Sequence, residues 1–314
     1  MRSIRRIPIL ARAGTVAVVT ALATLASVAP SSAATQLNGS WGPFTRCPVD
    51  APAMLAADGQ IDTAICIASS SASGSIKLGS SQVPTGKTDL QAGVITHSNG
   101  TSTVVSPPGG ALVAEPAQLP GGLLGLMCPS DIPVVTAICK QLTDNSLNRV
   151  TATVESVNTP TDFKLLAGVM KGQPIISLPV RIKLDNPFLG GSCYIGSAAN
   201  PIVLRPQNAT APSVKTERFD GDGTPNTTGV LNRLSALGAN QGDTTYAVPG
   251  ANGCGLLGIL DWAVNLKSGL PSAAGNNNVV LNSASTYVAA FSSPDTVVPN
   301  EGRLLAEYWH SAVR

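Results

Sequence analysis

Pro174-Ile175-Ile176-Ser177-Leu178-Pro179-Val180-Arg181-Ile182-Lys183-Leu184 is the stretch from which the fold can be read. From Leu178 onward every second residue is apolar. Leu178, Val180, Ile182 and Leu184 therefore share one side of an extended chain, while Arg181 and Lys183 share the other. A helix would scatter these residues around its circumference; a strand with one wet face collects them. The same reading applies to Arg149 to Val157, where Val150, Ala152 and Val154 oppose Arg149, Thr151, Thr153 and Glu155. Ser73 to Val83, Gly93 to Val105, Pro201 to Leu204 and Asn278 to Phe291 supply further strands, with Asn99-Gly100 reading as a type I′ hairpin turn. The fold expected is mainly β: antiparallel, β-sandwich-like sheets with a few short helices, stapled by disulfides.

Three short helices interrupt this pattern. Asp131 is an N-cap for a helix with Pro133 early and Val134, Ile138 and Leu142 at helical spacing. A second runs from about Leu256 to Lys267 and stops at Gly269 and Pro271. The third follows Asn300 and pairs Leu304 with Tyr308 and Leu305 with Trp309 on one side. Between Ser106 and Pro133 prolines and glycines cluster, yet Leu123, Leu124, Leu126 and Met127 lie among them. Such a stretch reads as a packed crossing between an N-terminal half, 35–145, and a C-terminal half, 146–314.

The first residues argue for export. Arg2, Arg5, Arg6 and Arg12 precede an uncharged stretch from Ala13 to Val28, then Pro30 and small residues. This is the layout of a secretory signal peptide over 1–34, with Ser32 and Ala34 placed for cleavage between Ala34 and Thr35. The stretch is too short and too rich in alanine and threonine for a membrane span. Removing it takes away four of the 20 basic residues and none of the 18 acidic ones, so the net charge moves from +2 to −2 (16 against 18). With no Lys/Arg cluster left, nucleic acid is excluded as a partner class. Charged residues make up 12% of the chain, about half the usual quarter, so the surface must rely on hydroxyls and amides. The mature chain is expected to be secreted or loosely wall-associated, with no integral membrane segment.

Six cysteines, all after residue 34, suit three disulfides in an oxidising compartment. An internal echo narrows the pairing. Cys47-Pro48-Val49-Asp50-Ala51-Pro52 is matched by Cys128-Pro129-Ser130-Asp131-Ile132-Pro133, and Thr63-Ala64-Ile65-Cys66 by Thr136-Ala137-Ile138-Cys139. If the two copies fold alike, the bridges are Cys47 to Cys66 and Cys128 to Cys139, leaving Cys193 for Cys254. Zinc needs closer cysteine pairs with histidine nearby, and a redox pair needs Cys-x-x-Cys; neither pattern occurs.

Catalytic signatures are missing. His97 and His310 are the two histidines, and neither belongs to a nucleophile, zinc or phosphate-binding motif; they read as a hairpin-edge and a helix-surface residue. No catalytic residue and no cofactor is assigned. A two-carboxylate glycosidase needs no local motif, and the acidic residues present can supply one. Asp220, Asp222 and Asn226 form a weak calcium candidate that lacks the remainder of an EF-hand loop, so an Asp-Gly turn is the favoured reading. Trp41, Trp262 and Trp309 read as core residues in preference to sugar platforms. Asn-x-Ser/Thr acceptors stand at Asn38, Asn99, Asn208 and Asn226.

The blocks Asn186-Pro187-Phe188-Leu189-Gly190-Gly191-Ser192-Cys193-Tyr194-Ile195-Gly196-Ser197, Gly253-Cys254 and Gly269-Leu270-Pro271-Ser272-Ala273-Ala274-Gly275 carry a likeness. Through them the chain resembles a group of secreted actinobacterial proteins of unassigned function. The resemblance implies export, a β-rich fold and the Cys193 to Cys254 pairing, and nothing about mechanism. The function expected is a non-enzymatic structural or binding role outside the cell, with a cell-wall or other extracellular component as partner. The alternatives are a glycan hydrolase using two carboxylates and a carrier of an apolar ligand, for which an apolar cavity between the sheets is the distinguishing feature.

Overall fold

The alternation beginning at Leu178 becomes a strand, Leu178–Asp185, in which buried and half-buried residues alternate without a break. Leu178, Val180, Ile182 and Leu184 are at most 5% exposed, each burial stabilising the fold by about 1.5–3 kcal/mol. On the wet side Arg181 Nε donates to Glu155 Oε2 at 2.8 Å and its guanidinium lies 4.0 Å over the Tyr194 ring. Lys183 pairs with Asp185 at 2.9 Å. The computed structural model describes residues 35–128, 133, 136–137, 139, 145–291 and 297–314. The expected signal peptide, 1–34, and Val134, Ile138 and Leu142 of the first expected helix, lie outside the described residues.

In chain order the strands are β1 (Asp62–Ser71), β2 (Ser73–Leu78), β3 (Ser81–Thr85), β4 (Thr88–His97), β5 (Ser102–Val105), β6 (Leu112–Ala114), β7 (Ala117–Gln118) and β8 (Thr151–Ser156). They continue as β9 (Leu178–Asp185), β10 (Tyr194–Ile195), β11 (Ile202–Leu204), β12 (Gln207–Asn208), β13 (Ser213–Phe219), β14 (Leu231–Asp243), β15 (Ala251–Asn252) and β16 (Asn278–Phe291). The helices are α1 (Pro52–Leu55), α2 (Gly122–Met127), α3 (Asn145–Asn148), α4 (Asp261–Ser268) and α5 (Glu301–Ser311).

Among the described residues ten strands form one sheet and six the other. The smaller runs β15-β10-β9-β8-β7, with β11 beside β9. The larger is organised around β16. One edge of β16 pairs with β14; on its other edge β2 takes Asn278–Asn282 and β1 takes Ser285–Ala289. Where β1 gives way to β2, Ser283 has φ 48°, Gly238 has φ 76° and the β14 register shifts on either side of Ala239. These irregularities lie at one level and bend the sheet. Ser71 Oγ sits 2.8 Å from both Ser73 O and Asn282 O and stitches the break.

The bend gives the sheet two surroundings. Beyond it, Ile76, Leu78, Val83 and Val279 pack with Val180, Ile182 and Leu184 of the small sheet, which is the sandwich expected from sequence. On the near side one face is roofed by Trp41, Phe44, Met54, Leu305 and Trp309. The opposite face packs Ile65, Ile67, Val94 and Val288 against Ile176 and Phe163. β1 is thus buried on both faces. Residues on either side of position 145 are interleaved, since β1 pairs with β16 and β7 with β8, and 35–314 form one compact unit.

Three disulfides join Cys47 to Cys66, Cys128 to Cys139 and Cys193 to Cys254. The pairing agrees with the sequence reading, but its premise does not hold. Thr63–Cys66 is strand, whereas Thr136, Ala137 and Cys139 are helical. Two further differences have local causes. Gly100 alone of the Asn99-Gly100 pair has positive φ, and its N–H donates to His97 O, so the loop is a turn closed by a left-handed glycine and not type I′. The helix expected from Leu256 begins only at Asp261, because Leu257 (φ 56°) and Gly258 (φ 77°) depart from helical backbone. Trp262 is not a core residue: it is exposed, while Trp41 and Trp309 are buried.

Candidate functional site

At the bend, β1, β2, β3, β4 and β16 of the large sheet face β8, β9 and β11 across a gap their side chains do not fill. Ile76, Leu90, Leu112, Val154, Leu178, Leu204, Val279 and Leu281 line a cavity of about 60 Å³, floored by Ala284. A second cavity of about 40 Å³ adjoins it, walled by Ile67, Phe163, Leu165, Ile175, Ile176 and Val288. The two share Ser69, Leu90, Pro206 and Gln241. Walls of this composition favour hydrocarbon over water.

Polar residues interrupt the lining: Ser69, Ser70, Ser71, Thr85, Thr88 and Gln241. Thr85, 9% exposed, is one of the lining residues, and its hydroxyl oxygen has no hydrogen-bond partner. Its neighbour Gly74 has no side chain to cover it: a Cβ there would lie 2.7 Å from Thr85 Oγ1. The other deep polar side chains are engaged. Gln241 Nε2 donates to Asn208 Oδ1 at 3.1 Å, and Asn208 Nδ2 donates to Gly168 O at 2.9 Å. An unpaired buried hydroxyl costs about 1–3 kcal/mol, so Thr85 is where a ligand's acceptor or donor gains most.

The outer face of the large sheet carries a different feature, an open groove of about 460 Å³ with Lys87, Asp89, Gln91, Thr45 and Tyr287 on its walls. Its single carboxylate is committed. Arg46 Nε donates to Asp89 Oδ2 at 3.0 Å, and the same guanidinium reaches Gly110 O and Ala111 O. Gln91 accepts from Arg46 N and donates to Asp89. Two carboxylates facing across this groove are therefore not present. Another acid pair, Glu301 and Asp58, is near enough to interact; burial is the main cause that raises the Glu301 pKa to about 7. Neither lines the groove or the cavities.

His97 offers the nearest approach to a catalytic constellation. Its Nδ1 lies 2.7 Å from Asp62 Oδ1 and its Nε2 2.8 Å from Thr103 Oγ1. The order carboxylate, imidazole, hydroxyl matches a nucleophile with its base and orienter. The three residues sit on neighbouring strands at the sheet surface, however, and line none of these cavities. They act as a cross-strand clamp on the hairpin. His310 is exposed and meets Asp50 at 2.8 Å.

The calcium candidate folds as a self-satisfied turn. Asn226 Nδ2 donates to both Asp220 oxygens at 3.0 and 3.1 Å, and Asp222 Oδ1 accepts from Thr224 N at 2.9 Å. Among the described residues no group of three or more His, Cys, Asp or Glu is arranged to hold a metal. The blocks around the last cysteines are structural. Asn186 donates to Leu147 O and Arg149 O and accepts from Phe188 N, while Asn265 holds both backbone groups of Ala251. Thr85 and Gly74 escaped the sequence reading because an inward threonine on a strand carries no signal that its hydroxyl lacks a partner. No family model matches the chain, and neither does any curated protein or solved structure compared with it.

Proposed function

We propose that this chain is an exported, non-enzymatic binding protein that receives an apolar group in the cavity between its two sheets. The observation that carries the reading is the hydrocarbon-lined gap with one unpartnered hydroxyl, Thr85, at its wall. Three disulfides, and the lack among the described residues of any helix long and apolar enough to cross a membrane, fit a protein working outside the cell. The actinobacterial resemblance points the same way.

Size sets the ligand class. An apolar cavity of about 150 Å³ accepts benzene, so adjoining spaces of about 60 and 40 Å³ are too small for a ring or a whole lipid and accommodate only the tip of an acyl or isoprenoid chain. A carbonyl or hydroxyl close to that end would complete Thr85.

The test is thermal unfolding of the purified protein with medium-chain fatty acids, alkanols and alkylbenzenes, beside native mass spectrometry of protein taken directly from the culture medium. A concentration-dependent rise in melting temperature is expected, and Ala284→Leu, which adds carbon inside the cavity, should abolish it. Absence of any shift and of any retained ligand mass would end the proposal. A second reading, recognition or hydrolysis of glycans, draws on Tyr287, Lys87 and Gln91 in the outer groove. Having one carboxylate there, it favours binding over cleavage, and Tyr287→Ala tested against soluble wall glycans examines it.

A further inference from the structure

Between the disulfide at Cys254 and the stop at Gly269, five large apolar side chains stand in solvent. Leu256 is 83% exposed, Leu257 99%, Ile259 59%, Trp262 54% and Leu266 67%. Single exposed leucines need no explanation, but a run of this kind does.

The presentation is built into the backbone. Cys254 is tied to Cys193, and the Asp261 carboxylate accepts the N–H groups of Gly253 at 3.2 Å and Cys254 at 2.6 Å. Gly253, Gly255 and Gly258 take positive φ, and so does Leu257, a residue strained by it. On α4, Ala263, Val264 and Ser268 are buried, which leaves Trp262 and Leu266, one turn apart, together on the outer side. Ile259 lies three residues before Trp262, and Leu256 three before that, so the stripe continues off the helix.

We propose that this face docks on the same face of a second copy of the chain, the two α4 helices crossing antiparallel about a two-fold axis. Area supports a protein partner of this size. With large apolar side chains presenting on the order of 150–250 Å² each when free, the exposures above leave roughly 600–700 Å² on one copy, close to the ~800 Å² per partner of a standard interface. Symmetry fixes the orientation. A two-fold axis perpendicular to both helices runs the two copies of α4 antiparallel, with their dipoles in opposition. A two-fold axis makes the contact self-limiting, so it yields a dimer and not a filament.

Light scattering on the purified full chain across a concentration series tests this. A dimer is expected at micromolar concentration. Leu257→Ser with Leu266→Asn should make the protein monomeric while its melting temperature stays within about 3 °C of the parent, since both side chains are already exposed. A parent that is monomeric throughout, or a dimer indifferent to the double substitution, overturns the proposal. Flotation of monomer with phosphatidylcholine vesicles, lost in the double variant, would also overturn it by assigning the face to a lipid surface.

Discussion

Thr85 holds its hydroxyl in the space that a side chain on Gly74 would occupy, the virtual Cβ standing 2.7 Å from Thr85 Oγ1. The two residues face one another across the β2–β3 ladder as register partners. One therefore sets how much room the other has. Thr85→Val removes the unpartnered oxygen at nearly constant volume, and should stabilise the empty protein by about 1–2 kcal/mol while weakening uptake of ligands with a hydrogen-bonding group. Gly74→Ala should destabilise it by about 1–3 kcal/mol through overpacking. Urea unfolding of both variants checks this; a Thr85→Val protein less stable than its parent would show that the hydroxyl has a partner.

Glu301 opens α5 and is 4% exposed. Burial, and more weakly the nearby Asp58, raise its pKa from 4.5 to about 7, against a bond from the Ala64 backbone that lowers it. The folded value lies above the unfolded one, so the native state holds a proton that the unfolded chain releases. Stability from this group is complete below about pH 4.5 and is lost as pH rises to about 7, a change on the order of 3 kcal/mol. Glu301→Gln should flatten that decline and be the more stable protein at pH 8. Parallel pH profiles for the variant and the parent would contradict the assignment.

The disulfides close loops of unequal length, with separations of 61 for Cys193–Cys254, 19 for Cys47–Cys66 and 11 for Cys128–Cys139. The chain-entropy relation assigns them about 4, 3 and 3 kcal/mol in that order. Paired Cys→Ser variants, compared by denaturant midpoint, should lose most stability at Cys193/Cys254. Equal losses at all three pairs would locate the effect in native packing.

At the turn holding Asp220, Asp222 and Asn226, the Asn226 amide nitrogen occupies the place between the Asp220 oxygens where a cation would sit. Calcium at millimolar concentration should leave the melting temperature unchanged. A saturable rise, absent in Asp220→Asn, would restore the metal reading.

What could be read from sequence followed burial geometry. β9 was legible because it is buried on one face, so Leu178, Val180, Ile182 and Leu184 advertise themselves by alternation. β1 was not, although it is central: Ala64, Ile65, Cys66, Ile67 and Ala68 are all buried, and a strand covered on both faces has no period to detect. β14 was hidden by its register shifts and Gly238, and β13 by the exposure of most of its side chains. The outer groove and the cavity were illegible for a different reason. Ser69, Leu90 and Gln241 meet at the cavity, and Thr45, Lys87 and Tyr287 at the groove, from separate segments of the chain, and nothing in any one segment announces the others. The repeated Thr-Ala-Ile-Cys block gave the right bridges while adopting two backbones, strand near Cys66 and helix near Cys139, because the surroundings overrode local preference.

The pairing of Cys66 with Ala289 has a consequence for biogenesis. The strand that covers the second edge of β1 is made more than 200 residues after it. A chain emerging amino-terminus first must keep a row of unmatched amides and two apolar faces unassembled until β16 has arrived, so assembly of the large sheet is slow for its size. Any product broken off before Asn278 keeps that edge bare and is a template for aggregation.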